Sequence, residues 1–180
     1  LRRVGSDLAK PRAMSFPENM AYRAPVWLPG GHLQTIYSSL FIHVPPMAYR
    51  RERLELPDGD FLDFDWVDGQ TGAPVVVLFH GLEGSADSHY ARDLMAHARM
   101  RGWHGVVAHF RGCSGEDNRL PRASFAGDSG DIERMLRHVK SLHAHAPVYA
   151  VGVSLGGNAL LKWLGEQGEA ARTLVERAAG

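Results

Sequence analysis

The chain has 180 residues, of which 44% are hydrophobic and 22% are charged, enough for one domain with a buried core. Its 20 basic and 20 acidic residues give a formal net charge of zero, which argues against a nucleic-acid-binding surface or a basic membrane-binding face. No apolar run reaches the roughly 18–20 residues of a membrane-spanning helix, although peripheral contact with a membrane stays open.

The single cysteine and the first residues bear on the cellular location of the protein. Cys113 excludes an internal disulfide and fits a reducing compartment, so we expect a cytoplasmic location. The N-terminal residues lack the apolar stretch of a secretory signal. Because the sequence begins at Leu1, we expect either that upstream residues are missing or that the segment before Met14 is not native coding sequence.

Residues 1–50 are rich in proline and lack a clear periodicity. This composition predicts an irregular N-terminal segment that wraps around a domain formed by residues 51–180. Regular alternation begins only at the start of that domain.

Two short strands and a hairpin turn open the predicted domain. The strands are Arg51–Leu56 and Phe61–Val67, and Asp58-Gly59 between them is typical of a hairpin turn. The run Pro74–Phe79 is apolar throughout, which is typical of a strand buried on both faces of a parallel sheet.

Helices and strands alternate in the rest of the chain. Apolar spacing and turn residues predict a helix over Ala86–Arg101, a strand over Gly105–Phe110, a helix over Asp131–His143, a strand over Val148–Val153 and a final helix containing Leu160, Trp163 and Leu164. This order predicts an α/β fold with a mostly parallel sheet and an N-terminal antiparallel hairpin.

The pentapeptide Gly152-Val153-Ser154-Leu155-Gly156 matches G-x-S-x-G between a predicted strand and a predicted helix. In a nucleophile elbow the small residues flanking the serine permit a strained, closely packed turn that exposes the serine oxygen. We therefore predict Ser154 as a catalytic nucleophile, with Gly152 and Gly156 as supporting residues. The alternative is a glycine-rich turn that carries a bystander serine.

An acyl-transfer serine also needs hydrogen-bond donors for the oxyanion that forms during attack. One predicted donor is the backbone N–H of Leu155, directly after the serine. The second is the N–H of Leu82, in the loop that His80-Gly81 begins after the third strand. His80 and Gly81 are predicted to support this loop, His80 through a hydrogen bond. A plain strand-terminating turn is the alternative interpretation.

Four motifs, in the same order and spacing, give the chain a family resemblance from about Phe16 to Gly168. They are Trp27-Leu28-Pro29-Gly30-Gly31-His32-Leu33-Gln34-Thr35, His80-Gly81-Leu82-Glu83-Gly84, Arg111-Gly112-Cys113-Ser114-Gly115 and Gly152-Val153-Ser154-Leu155-Gly156-Gly157-Asn158. The chain resembles the YheT-like branch of the α/β-hydrolase superfamily. The resemblance implies an intracellular or membrane-associated carboxylic-ester hydrolase acting on short- to medium-chain acyl esters or lipids, without cofactor or metal.

In α/β-hydrolases the triad acid and histidine follow the serine along the chain. All ten histidines here precede Ser154, the last being His145. By resemblance we therefore expect an N-terminal fragment of a protein of roughly 300 residues, truncated after the elbow helix, that lacks the rest of the triad. The edge of the elbow strand is expected to be unpaired. His80 and His89 are the upstream histidines considered as substitutes, and both are judged poor ones.

Several alternatives remain open at this point. The segment Arg111–Gly115 is interpreted as a structural turn or as a wall of an acyl pocket, and Asp128 and Asp131 as helix caps. An acyltransferase or thioesterase would share every residue discussed, and a non-catalytic binding protein could retain the same fold.

Overall fold

The computed structural model describes residues 23–41, 45–121 and 129–180. The chain divides into two units, residues 1–42 and 43–180. In the first unit, helix α1 spans Gly31–Phe41, and the Gln34 side-chain amide donates to the Leu28 carbonyl oxygen at 3.1 Å. The prediction that all of residues 1–50 are irregular is therefore wrong. The wrapping role of this segment stays a prediction.

The second unit contains a six-stranded sheet flanked by helices. Its strands are β1 Arg50–Glu55, β2 Phe61–Val67, β3 Val75–Phe79, β4 His104–Ala108, β5 Val148–Gly152 and β6 Arg177–Ala179. Its helices are α2 His89–Met100, α3 Ser129–Leu142 and α4 Leu155–Gln167, followed by a 3-10 helix over Gly168–Thr173.

The strand order is β1-β2-β4-β3-β5-β6. Strand β2 is antiparallel to both β1 and β4, whereas the pairs β3–β4, β3–β5 and β5–β6 are parallel. The predicted α/β fold, with a mostly parallel sheet and an antiparallel N-terminal hairpin, is confirmed.

Both faces of β3 are buried, which explains its unbroken apolar sequence. Alternate residues such as Val77 and Phe79 share a core with Met135 of α3 and Trp163 of α4. Leu78 belongs to a second core that includes Met95 of α2. The helices therefore cover the sheet on both sides, and the carboxyl ends of its central strands remain available for a site.

The chain after α4 differs from the prediction. The 3-10 helix turns the backbone so that the Glu176 N–H donates to Val148 O at 2.8 Å, and β6 then pairs with β5 from Tyr149↔Arg177 to Val151↔Ala179. The edge of β5 is thus paired, against our expectation. The segment Arg177-Ala178-Ala179 lacks the β-branched and aromatic residues that mark a strand.

Helix α2 begins at His89, three residues later than predicted, because the residues before it form a turn. The Ser85 N–H donates to Ser88 Oγ at 3.2 Å, and the Asp87 N–H donates to Ser85 Oγ at 3.2 Å. Such side-chain bonds offer the backbone an alternative to helical pairing. Among the described residues, no helix is long and apolar enough to cross a membrane.

Candidate active site

Ser154 lies between the end of β5 and the first residue of α4, at the carboxyl edge of the sheet. Its backbone has φ 52° and ψ −111°, in the left-handed half of φ space that non-glycine residues rarely adopt, and the residue is exposed. The Asn158 N–H donates to the Ser154 carbonyl oxygen at 3.0 Å and ties the turn to the helix. This is the backbone geometry that the G-x-S-x-G pattern predicts.

The two glycines of the pattern are required by close backbone contacts. A Cβ atom built on Gly152 would lie 2.5 Å from the Cα of Gly157, and one built on Gly156 would lie 2.2 Å from the carbonyl oxygen of Phe79. Each neighbour is a backbone atom, which a side chain cannot displace cheaply. Both glycines therefore let the turn pack against its surroundings, as the sequence indicated.

The loop after β3 lies beside the serine. The Val153 N–H donates to Phe79 O at 3.0 Å, so the parallel pairing of β3 and β5 extends to the start of both loops. A Cβ atom built on Gly81 would lie 3.4 Å from the Cβ of Ser154. Glu83 in this loop and Ser154 are the two described non-glycine residues with positive φ. The structure thus brings together the two segments that were predicted to form the site.

His80 is fully buried and has both ring nitrogens engaged. Its Nε2 accepts the Phe110 N–H at 3.3 Å, so Nδ1 carries the proton and donates to Gly81 O at 2.8 Å. Burial, with a smaller contribution from the neighbouring His109, lowers the pKa of His80 from 6.5 to about 4. His80 is therefore a neutral histidine that links the loop after β3 to the end of β4.

The two predicted oxyanion donors are unengaged in the part of the chain that the structure describes. Neither the Leu82 N–H nor the Leu155 N–H donates to a protein acceptor there. The Leu155 N–H belongs to the first turn of α4, where backbone N–H groups have no intrahelical acceptor and favour negative charge. The Leu82 side chain is 76% exposed at the mouth of a cavity.

This cavity of about 670 Å³ lies between the loop after β3 and the loop after β4. Leu82 lines one side, and Cys113 and Leu120 contribute to the other. Burial raises the pKa of the Cys113 thiol, which disfavours the thiolate that a nucleophilic cysteine needs. The segment from Arg111 to Gly115 is therefore both a structural turn and, in part, a cavity wall.

Arg111 anchors this wall from inside the protein. Its buried guanidinium donates to Asp131 Oδ2 and to Asp60 Oδ2, each at 2.7 Å. Asp60 also accepts the side-chain amide of Asn118 at 2.8 Å. The expectation that Asp131 caps α3 is wrong, because it is the third residue of the helix and its carboxylate pairs with Arg111. Asp128 lies outside the described residues.

Sequence reasoning missed a charged cluster beside the site, in which the aspartates and His109 are buried and the arginines are partly exposed. His109 Nε2 lies 2.7 Å from Asp65 Oδ2, and Arg51 pairs with the same carboxylate. Arg53 pairs with Asp63 in the same way, two residues further along β1. The signal was present, since alternating arginines on one predicted hairpin strand face alternating aspartates on the other.

No hydrogen bond joins Ser154 to a histidine among the described residues, and the exposed His89 is the first residue of α2. Within residues 23–41, 45–121 and 129–180, no group of three or more His, Cys, Asp or Glu side chains is arranged to hold a metal ion.

The sequence is similar to those of several known proteins. The chain is 48% identical over 140 residues to the Escherichia coli K12 protein named "Putative esterase YheT", a match that covers 76% of this chain and 41% of that protein. It is 32% identical over 155 residues to human Phospholipase ABHD3, covering 82% of this chain and 38% of that protein. The chain thus spans about two fifths of the length of these curated relatives.

The esterase Pf2001 of Pyrococcus furiosus has a similar fold, with a TM-score of 0.55 at 19% identity, over 66% of this chain and 47% of that one. A family model described as the alpha/beta hydrolase fold matches residues 74–176, which is more than half of the sequence. The match spans β3 to the residues before β6 and contains both loops of the site. The chain therefore belongs to the α/β-hydrolase family and is a homologue of YheT.

Proposed function

We propose that this chain carries the nucleophile and the oxyanion hole of a serine hydrolase that cleaves carboxylic esters. The observation that supports this most is the arrangement around Ser154. An exposed serine with strained backbone stands beside the unengaged N–H groups of Leu82 and Leu155. Preorganised donors of this kind are a large source of stabilisation for acyl-transfer transition states.

In the proposed reaction, Ser154 Oγ attacks the ester carbonyl carbon and loses its proton to a general base. The carbonyl oxygen becomes an oxyanion that accepts hydrogen bonds from Leu82 and Leu155. Collapse of the tetrahedral intermediate expels the alcohol, which takes the proton, and leaves an acyl group on Ser154. Water then attacks the acyl-enzyme and releases the carboxylic acid. The scheme needs no cofactor or metal.

We propose that the base lies outside these 180 residues. His80 has both nitrogens engaged and a pKa of about 4, so it is a poor acceptor for the serine proton. His89 makes no hydrogen bond to Ser154. A histidine and an acid from the remainder of the full-length protein would complete the triad, in the order usual for this fold.

The proposed substrates are short- to medium-chain acyl esters or lipids, in a cytoplasmic enzyme that can contact a membrane peripherally. The esterase and phospholipase names of the two curated relatives support an ester bond as the target. The cavity beside Leu82 offers space for one portion of such a substrate.

A full-length protein containing this chain tests the proposal. Ester hydrolysis over a series of acyl lengths, and labelling by a fluorophosphonate probe, are measured for the native protein and for Ser154→Ala. We expect Ser154→Ala to abolish labelling and to lower kcat by a factor on the order of 10⁶. Ser141→Ala, at an exposed position of α3, is the matched control and should leave both unchanged. Hydrolysis that survives Ser154→Ala would overturn the proposed nucleophile.

The 180-residue chain alone provides the test of the missing base. We expect it to react with the fluorophosphonate at least about 10³-fold more slowly than the full-length protein, since only the oxyanion hole remains. Equal labelling rates would show that these residues already contain the base.

A further inference from the structure

The loop after β3 offers two consecutive backbone N–H groups near Ser154, but only one is unengaged. The Gly81 N–H donates to the hydroxyl oxygen of Tyr90 at 3.1 Å. The Leu82 N–H has no acceptor among the described residues. Tyr90 therefore determines which of the two groups is left to bind an oxyanion.

The direction of the Leu82 N–H is fixed through the other end of its peptide bond. Gly81 O accepts the Nδ1–H of His80 at 2.8 Å and the N–H of Gly84 at 2.9 Å. Because a trans peptide is planar, its carbonyl and N–H point in opposite directions. Two hydrogen bonds on the carbonyl and one on the preceding N–H therefore hold this donor in a single orientation.

Tyr90 reaches the loop because Gly84 leaves room for its hydroxyl. A Cβ atom built on Gly84 would lie 2.5 Å from the Tyr90 hydroxyl oxygen. A Cβ atom built on Gly81 would lie 3.9 Å from the same oxygen and 3.4 Å from the Cβ of Ser154. The tyrosine hydroxyl and the serine thus flank the same glycine.

We propose that Tyr90 is a positioning residue of the oxyanion hole, holding the Gly81 N–H so that the Leu82 N–H, and not the Gly81 N–H, faces the ester. The proposal rests on the proposed function of Ser154. Tyr90 acts through the backbone, because its hydroxyl accepts the Gly81 N–H and no hydrogen bond joins it to Ser154 in the described part of the chain.

Tyr90→Phe in the full-length protein is the direct test, since it removes the hydroxyl and keeps the ring. We expect kcat for a short-chain ester to fall about 10- to 100-fold, as a displaced oxyanion donor costs rate, while KM stays within about threefold. Affinity for a trifluoromethyl ketone, which forms an oxyanion adduct with serine, should fall in parallel with kcat/KM.

Tyr49→Phe is the matched control. The Tyr49 hydroxyl donates to Ala86 O at 3.0 Å, so this variant also loses one tyrosine hydrogen bond to the segment between β3 and α2. It leaves the hydrogen bonds of the Gly81–Leu82 peptide unchanged, so kcat should stay within about twofold of the native value. We expect the two variants to lower the melting temperature by similar amounts. A larger fall of kcat in Tyr90→Phe would then come from lost positioning of the Gly81–Leu82 peptide and not from lost stability.

Gly84→Ala disturbs the same peptide from the other side, because its methyl group would lie 2.5 Å from the Tyr90 hydroxyl and 2.9 Å from Gly81 O. We expect it to lower kcat and ketone affinity at least as much as Tyr90→Phe does. Unchanged kcat in Tyr90→Phe, or equal losses in Tyr90→Phe and Tyr49→Phe, would overturn the role of Tyr90. Activity that persists in Ser154→Ala would instead overturn the proposed function, so the two failures are distinguishable.

Discussion

The backbone of Gly156 lies directly against the carbonyl oxygen of Phe79, 2.2 Å from where a Cβ atom would stand. The same Cβ would lie 2.6 Å from His80 O. These neighbours are backbone atoms at the end of β3 and the start of the next loop. The separation of the serine turn and the loop after β3 is therefore set by the absence of a side chain at residue 156.

Gly156→Ala should force these two segments apart. We expect the free energy of unfolding to fall by about 1–3 kcal/mol, the usual cost of overpacking a close contact, together with a loss of esterase activity in the full-length protein. Urea unfolding and kcat/KM for a short-chain ester measure the two effects.

Gly165→Ala is the control on the same helix. Its added Cβ meets nothing within 4 Å, and the residue is exposed. Alanine is the better helix former, so stability should rise by up to about 1 kcal/mol with activity unchanged. If Gly156→Ala and Gly165→Ala changed the free energy of unfolding and kcat/KM equally, close packing at Gly156 would not explain the loss.

His80 should make stability depend on pH. Burial lowers its folded-state pKa to about 4 from the ordinary 6.5, so between these values the unfolded chain binds more protons. The contribution of His80 is complete above pH 6.5 and is lost as pH falls towards 4. At pH 5 the loss relative to pH 7 should be about 2 kcal/mol.

Unfolding free energies of the native protein and His80→Gln at pH 7 and pH 5 measure this contribution. Asp60 and Asp65, whose pKa values are lowered in the folded state, titrate in both proteins and cancel in the comparison. We expect a flatter pH dependence in His80→Gln. Parallel curves would show that His80 is not held neutral by its surroundings.

The central sheet and the serine turn could be predicted because their signals are local. The apolar run ending at Phe79 predicted a strand buried on both faces, and β3 is such a strand. The flanking glycines of Ser154 indicated a backbone conformation that the structure shows at φ 52°. In both cases the residue types of a few neighbouring positions are enough to predict the local backbone structure.

The missed features depend on residues that are distant in sequence or weak in propensity. Helix α1 begins at Gly31, directly after Pro29-Gly30, a dipeptide typical of turns, and β6 consists of small and charged residues. Arg111 meets Asp60 and Asp131 from 51 and 20 residues away. The Tyr90 hydroxyl, from the first turn of α2, accepts the N–H of Gly81 nine residues before it. Such contacts depend on how the strands and helices are arranged in space, and the sequence pattern of one chain does not specify that arrangement.

Removal of the buried Arg111 should destabilise the protein strongly. The side chains of Arg111, Asp60 and Asp131 are fully buried, so Arg111→Met would remove the buried cation from both carboxylates and leave Asp131 its half-exposed partner Arg134. Removing one partner of a buried ion pair costs about 3–5 kcal/mol. We expect a loss of that size in urea unfolding, together with weaker binding of substrates, since Arg111 supports the cavity wall.

Arg134→Met is the matched control, because Arg134 pairs with the same Asp131 at 2.9 Å from a half-exposed position. Exposed ion pairs contribute about 0–1 kcal/mol, so this variant should unfold almost as the native protein does. Arg111→Lys retains the charge, but a lysine lacks the planar guanidinium that binds both carboxylates. The stability of this variant should therefore lie between those of Arg111→Met and Arg134→Met. Equal losses in Arg111→Met and Arg134→Met would contradict the idea that burial makes the Arg111 contacts strong.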